Sequence, residues 1–416
     1  MRLSRRPFLA TLAAAATTPA IVTPALAADE VDVAILGGGL AGLAAGRALV
    51  ADRKKVLVLE ARDRIGGRAV TDTSLGFPVD MGAAWLAPGP LAKELGGKLL
   101  PGPEVGAIAV AGKPLTAEQM ADYAKADDRM KALLKDLRTR MPDADPASFI
   151  RSVTPNEQLA FARLLNKPPF AVTQPLEGGI GAAVARLGAK VPVKLGTRVL
   201  RINSTGSSSG GRFIEVVTTT GTLQARIVIV ALPVSVLGGG HMGFAPPLSQ
   251  KKRDALAATS MASCTRIAVS FQPGMPKAPA NAWVTGITRA GVPFDAFVRP
   301  QDRDAVILVL ASQAARQVEE SGANASVAFA LTTLAEIYGS DIRAAFRGSV
   351  ASRWGRDPFS LGAWCVPSKG AVATLATPHG ERVFFAGEAM ADTPGTLEAA
   401  YASGLRAAAE AKAALR

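Results

Sequence analysis

The sequence predicts an α/β protein with a Rossmann-like dinucleotide domain and an α+β second part. Three observations carry this. The apolar, β-branched run Val31–Leu36 ends in Gly37-x-Gly39-x-x-Gly42, and a helical pattern follows over 41–51. A second apolar run over 55–59 ends in Glu60, about twenty residues past the glycines. A third, Arg226 to Pro233, is apolar without alternation, as a parallel strand covered on both faces must be.

Residues 1–27 read as a targeting segment outside the fold. Ser4-Arg5-Arg6-Pro7-Phe8-Leu9 has the twin-arginine export pattern, and Ala25-Leu26-Ala27 is a small-x-small cleavage site. That route carries folded proteins, which suits a chain loaded with a cofactor before export. The expected compartment is the periplasm.

The 416 residues are 49% hydrophobic and 19% charged, enough for two intimately mixed domains. Outside the leader no apolar run is long enough to span a membrane. The formal net charge is +13, but Lys and Arg are dispersed rather than interleaved with aromatics. That argues against nucleic-acid binding. Two cysteines, Cys264 and Cys365, and two histidines, His241 and His379, are too few for a His/Cys metal cluster and lend a Ser-His-Asp triad no support. The chemistry therefore falls to a cofactor. The two cysteines are expected as buried thiols rather than a disulfide.

In the glycine unit, Gly37 permits a tight turn, Gly39 lets backbone approach a pyrophosphate, and Gly42 lets helix pack on strand. Leu40 and Ala41 open the helix whose N-terminus holds the phosphates. Glu60, followed by Ala61 and Arg62, stands where a ribose diol is gripped. Arg64-Ile65-Gly66-Gly67-Arg68 forms a loop whose amides and guanidinium reach phosphate oxygens. Gly82, Ala83 and Ala84 before Trp85 leave room for a flat ring against backbone.

Residues 91–174 read as helices, 117–139 and 156–165, between turns at Pro101, Pro103, Pro142, Pro146, Pro168 and Pro169. A helix over 182–187 and strands over 193–195, 198–202 and 213–218 follow, with a Ser/Gly loop at 204–211. Strands over 261–271 and 305–310 and a helix over 326–338 build a second sheet layer.

The Gly37–Gly42 unit, Glu60, Arg64-x-Gly66-Gly67-Arg68 and Asp80-x-Gly82-Ala83-Ala84-Trp85 resemble the flavin-containing amine oxidases. The resemblance resumes at Ala231-Leu232-Pro233, at Phe384-Phe385-Ala386-Gly387-Glu388, and at Gly395-Thr396-Leu397-Glu398-Ala399-Ala400. It covers most of the chain after the leader. It implies an FAD domain from 28–90, 175–245 and 350–416, and a substrate domain from 91–174 and 246–349. It also implies FAD as cofactor and oxidation of a small-molecule amine to an imine, with hydride transfer to flavin N5. Ala363 falls where some relatives carry a flavin-linking cysteine, so the FAD is expected to be noncovalent.

By resemblance the backbone of Val199 holds the adenine, Trp354 lies beside the flavin, and Gly387 and Glu388 lie by the ribityl or phosphate region. The helix opening at Thr396 and Leu397 aims N–H groups at the pyrimidine edge. Two aromatic rings commonly flank the substrate nitrogen in the family. Here one position holds Trp364 and the other Thr396. A lysine near N5 is replaced by Arg266, which cannot tune its pKa. Arg266, Trp364 and Thr396 are thus the candidate catalytic set. Arg266 either binds a substrate carboxylate or lowers reactivity with dioxygen, in which case a periplasmic electron carrier takes the electrons. A second copy of the chain, as a homodimer, is the other expected partner. Two competing readings remain: a desaturase or porphyrinogen-type flavin oxidase, and a degenerate flavin-binding subunit serving a partner.

Overall fold

The computed structural model describes residues 30–110, 112–141, 154–165, 172–204, 212–368 and 370–416. The export leader, Pro142, Pro146, Pro168, Pro169 and most of the Ser/Gly loop lie outside them.

The strand Glu30–Leu36 lies between Gly221–Val230 and Val56–Leu59, parallel to both. Val33, Ala34, Ile35 and Leu36 have no exposed surface, which is why the run is unbroken by polar residues. Val193–Lys194 extends the parallel edge, and Val383–Phe385 joins the far side of Gly221–Val230. The first half of Gly221–Val230 pairs antiparallel with Ile214–Thr218, and Val199–Asn203 and Gly243–Ala245 continue that wing. The helix Leu40–Ala51 packs against the last helix, Leu397–Ala414, on one face of this sheet. Small residues permit the close crossing: a Cβ on Gly404 would lie 2.3 Å from the Ala41 carbonyl oxygen.

A second sheet runs in the order Phe346–Ala351, Cys264–Phe271, Ala305–Ala311, Pro293–Val298, Ala282–Ile287, Glu104–Val110, Lys113–Pro114. One face is sealed by the helices Ser312–Ser321 and Ala323–Tyr338 through Ile267, Val269, Val306, Leu308, Ala315 and Leu334. The opposite face turns toward the first domain and packs Ala268, Ile307 and Phe297 on Val79 and Met81.

Three expectations change here. The strand over 261–271 is two strands: Ser260–Ala262 pairs with Trp364–Val366, and Cys264–Phe271 enters the large sheet. The helix over 326–338 is the longer helix Ala323–Tyr338, preceded by a second helix and broken from it at Gly322, φ 93°. The region 91–174 is not all helical, because Glu104–Val110 pairs parallel with Ala282–Ile287. Its partner lies far along the chain, so no local pattern announces it. The expected helices there appear as Ala117–Arg140 and Pro155–Leu165. Phe346–Ala351 pairs within the substrate sheet and straddles the expected boundary at 350. Cys264 and Cys365 are free thiols. No described helix is long and apolar enough to cross a membrane.

One charge is buried under the first sheet. Lys252 donates from Nζ to the carbonyls of Leu375 (2.8 Å) and Thr377 (2.6 Å), 3.6 Å from the Phe385 ring centroid. Burial, reinforced by Arg406, pushes its pKa down from 10.5 to about 7. The folded state therefore releases this proton before the unfolded chain does, and stability rises with pH from about 7 toward 10.5. Thermal unfolding of wild type and Lys252→Met across that range should show the wild type gaining on the variant as pH rises. A constant gap would reject the titration.

Candidate active site

The two sheets enclose a cavity of about 660 Å³. Its walls include every predicted site residue except Gly42. Gly42 lies under the glycine turn, where a Cβ would meet the Gly37 carbonyl oxygen at 2.0 Å. Its place is the packing of helix on strand, not the cavity wall.

One end of the cavity is a phosphate cradle. Gly37, at φ 106°, turns the chain after the first strand. Gly39 is the N-cap of Leu40–Ala51 and provides no side-chain cap, while Leu40, Ala41 and Gly42 are buried. A buried helix N-terminus leaves donors needing an acceptor, and a pyrophosphate supplies one. A Cβ at Gly39 would have nothing nearer than 4.0 Å, so open space lies over this turn. Glu60 is 3% exposed and accepts from the amides of Gly38 (2.7 Å) and Arg62 (2.9 Å). Arg62 in turn clasps both carboxylate oxygens of Asp357 at 2.8 and 2.9 Å, and Ser360 Oγ at 2.9 Å. This ties the loop after the second strand to the distant 357–360 turn. Val199 lines this half at the start of its strand.

The middle is knotted by Glu388. Its Oε1 accepts from Arg68 Nη1 (2.9 Å) and the Cys365 amide (3.1 Å). Its Oε2 accepts from Cys365 Sγ (2.7 Å) and the Gly395 amide (2.9 Å). Burial and this carboxylate push the Cys365 thiol well above its usual pKa, so it stays protonated. Trp354 is buried, its Nε1 donating to the Met81 carbonyl at 2.9 Å. A Cβ on Gly82 would lie 1.8 Å from the Arg68 carbonyl oxygen and 3.1 Å from the Trp354 ring. Backbone therefore lines the wall there, with Ala83, Ala84 and Trp85 beyond. Thr396 is the N-cap of the last helix: its hydroxyl accepts from the Ala399 amide (3.0 Å) and donates to the Thr393 carbonyl (2.8 Å). That hydroxyl shapes the helix N-terminus, a capping role the sequence reading did not include. Leu397 follows it at the wall.

The other end is a chamber with Trp85 and Trp283 in its walls, floored by the inward face of the second sheet, and Trp364 lines the same cavity next to the Ala363 and Cys365 contacts of Arg68 and Glu388. Trp85 meets Trp283 edge-on at 5.9 Å. Arg266 is 6% exposed, held by Nε to the Asp80 carbonyl (2.8 Å) and by its amide to Ser352 Oγ (2.9 Å). Cys264 sits two residues away, its pKa pushed up to about 12 by burial. Among the wall residues that the sequence did not single out are Asp295, Thr285, Trp283 and Arg163. Asp295 interrupts the apolar Phe294-Asp295-Ala296-Phe297 run, the one available signal in the sequence. Burial pushes its pKa up, against hydrogen bonds from Thr285 and Trp283 and the nearby Arg163 charge.

A buried helix N-terminus and a buried Glu60 that share one cavity with an aromatic chamber are the arrangement a dinucleotide-dependent oxidoreductase requires. A family profile described as flavin containing amine oxidoreductase matches residues 40–104 and 128–412. The chain belongs to the flavin-containing amine oxidoreductase family; it is an FAD-dependent amine oxidase or dehydrogenase. Polyamine oxidase 2 of Arabidopsis thaliana is 26% identical, over 90% of this chain and 87% of that protein. Lysine-specific histone demethylase 1 homolog 3 of Oryza sativa subsp. indica is 29% identical, over 91% of this chain and 53% of that protein. A solved structure of a redesigned putrescine oxidase superposes with a TM-score of 0.70 at 21% identity, covering 92% of this chain and 99% of its own.

Proposed function

We propose that this enzyme oxidises a small-molecule amine to an imine in the periplasm, after export through its twin-arginine leader. The observation that carries the reading is one continuous cavity joining the phosphate cradle to the tryptophan chamber. When bound, FAD accepts a hydride from the carbon beside the amine nitrogen. The chain's own residues do the rest. The uncapped N-terminus of Leu40–Ala51, Glu60 and the Arg68–Glu388 pair hold the dinucleotide. The N-terminus of Leu397–Ala414 faces the cavity, where it favours negative charge by about 0.3–1 kcal/mol or more. Trp364 and Trp85 both line the cavity and offer aromatic faces against which an amine can stack. Arg266 keeps its proton and serves as a fixed positive charge, not as a base. Either dioxygen or a periplasmic electron carrier takes the electrons.

The test is anaerobic mixing of the yellow holoenzyme with an amine panel that includes putrescine and spermidine, followed at the flavin absorbance. Bleaching supports the reading. No bleaching by any amine, or a colourless protein as isolated, rejects it. Stopped-flow reoxidation then decides the acceptor: slow reaction with air-level dioxygen points to a carrier, and rapid reaction removes it. Ala363 offers no thiol to the flavin. Acid precipitation is therefore expected to release the FAD into the supernatant, and flavin left on the protein pellet would contradict noncovalent binding.

A further inference from the structure

The chamber floor carries two opposite charges in one row of the second sheet. Arg266 pairs in register with Val309, and Val309 with Asp295 on the next strand, and Asp295 with Thr285 on the one after. Residues directly opposite each other in a sheet point to the same face. All four line the cavity. Arg266 and Asp295 are two strand spacings apart, about 10 Å between Cα atoms.

Both charges are half-satisfied by the protein, each with one side left toward the cavity. Arg266 uses Nε on the Asp80 carbonyl, and its guanidinium lies 5.8 Å from the Trp85 ring. Its Nη atoms make no hydrogen bond or ion pair with the described residues, although the residue is 6% exposed. On Asp295, Oδ1 takes both protein donors, Thr285 Oγ1 at 2.6 Å and Trp283 Nε1 at 3.2 Å. Oδ2 takes none. Arg163, on the helix Pro155–Leu165, lies near Asp295 but spends Nη1 on the Tyr123 hydroxyl at 2.8 Å and makes no ion pair with it. Lys131 and Asp127, also in the lining, pair with each other at 2.6 Å. Arg266 and Asp295 are thus two opposite charges on the chamber floor, each keeping polar atoms that no described residue takes up.

Resting on the amine-oxidation reading, we propose that the substrate is a basic amino acid. Its carboxylate lies on the Nη atoms of Arg266, and its side-chain nitrogen cation lies on Oδ2 of Asp295. The carboxylate end is at Arg266 because that residue is bonded to the Asp80 carbonyl, where the chain runs on into Met81 and Gly82 against Trp354 and Arg68 in the middle of the cavity. The amine beside the carboxylate is thus the one presented for oxidation. Its Cα–H bond breaks with the hydride passing to FAD, the nitrogen loses a proton to solvent, and water hydrolyses the imine. The chamber differs in kind from one built for a simple diamine, which would leave the Arg266 charge buried and unpaired.

Two matched comparisons isolate the poles. Cadaverine is L-lysine without the carboxylate, and L-norleucine is L-lysine without the distal cation. Binding to the anaerobic holoenzyme is read by flavin difference spectra and calorimetry, and reduction by stopped flow. L-Lysine is expected to bind on the order of 10- to 100-fold more tightly than either analogue. Arg266→Gln should erase the preference over cadaverine and keep the preference over norleucine. Asp295→Asn should do the reverse. Flavin content and thermal unfolding check that each variant is intact, and the wild-type comparison decides alone if neither is. Cadaverine reducing the flavin as well as lysine leaves amine oxidation standing and overturns this proposal. So does an Arg266→Gln variant that loses flavin without changing the lysine-to-cadaverine ratio, since Arg266 would then be a cofactor contact. Failure of every amine to reduce the flavin rejects the underlying reading instead, while the binding ratios still report on the two poles.

Discussion

Gly42→Val is expected to yield protein without FAD and with a much lower unfolding temperature. A Cβ at this position would sit 2.0 Å from the Gly37 carbonyl oxygen and 3.3 Å from Ile35 Cγ2. Neither neighbour is a flexible side-chain tip, so the helix must move off the first strand. Overpacking of this kind costs roughly 1–3 kcal/mol or more, and here it also opens the turn that aims the helix N-terminus. Gly39→Ala supplies the contrast. Its φ is −78°, and its Cβ would have nothing nearer than 4.0 Å. The folded apoprotein should keep its stability, while the added methyl enters the space over the turn and weakens FAD binding. Flavin absorbance per chain and thermal unfolding of both variants separate the effects. Equal loss of stability in the two would show that packing and cofactor approach are not divided between these glycines.

Glu388→Ala carries the second large effect. Four donors converge on this carboxylate: the Arg68 guanidinium, the amides of Cys365 and Gly395, and the Cys365 thiol. The Glu388 and Arg68 side chains are only 10% and 20% exposed. Removing the carboxylate leaves a largely buried cation without its counter-charge, held only by the Ala363 carbonyl, and takes the acceptor from the Cys365 amide, a loss of about 3–5 kcal/mol. It also frees the loop after Glu60, the Trp364–Val366 strand and the approach to the last helix from one another. Arg68, Trp364, Gly395 and Thr396 of those segments line the cavity. The expected result is a lower unfolding temperature together with weak FAD retention. Glu388→Gln should be milder, because the amide oxygen still accepts but no longer pairs the Arg68 charge. Full flavin occupancy and wild-type unfolding in the alanine variant would show the knot to be dispensable.

The nucleotide half was legible because its signals are local. Gly37–Gly42 requires positive φ or close approach at fixed spacing, Val31–Leu36 is buried on both faces, and Glu60 ends a strand of its own. Such constraints act within a few residues and show in any window that contains them. The substrate half was harder for a physical reason. Glu104–Val110 becomes a strand only by pairing with Ala282–Ile287, and Asp295 is an isolated acid in an apolar run until the sheet is assembled.

By itself, then, the sequence determined a dinucleotide grip, a cofactor-borne chemistry and the identities of the unusual residues Arg266 and Thr396. Only the tertiary structure decided what those residues do next to one another. It closed the Glu388 knot across 320 positions of chain and turned the Thr396 hydroxyl into a helix cap. It set Arg266 and Asp295 in one row of a sheet. Strand register creates that row, and register depends on pairings between distant segments that no single stretch of sequence contains.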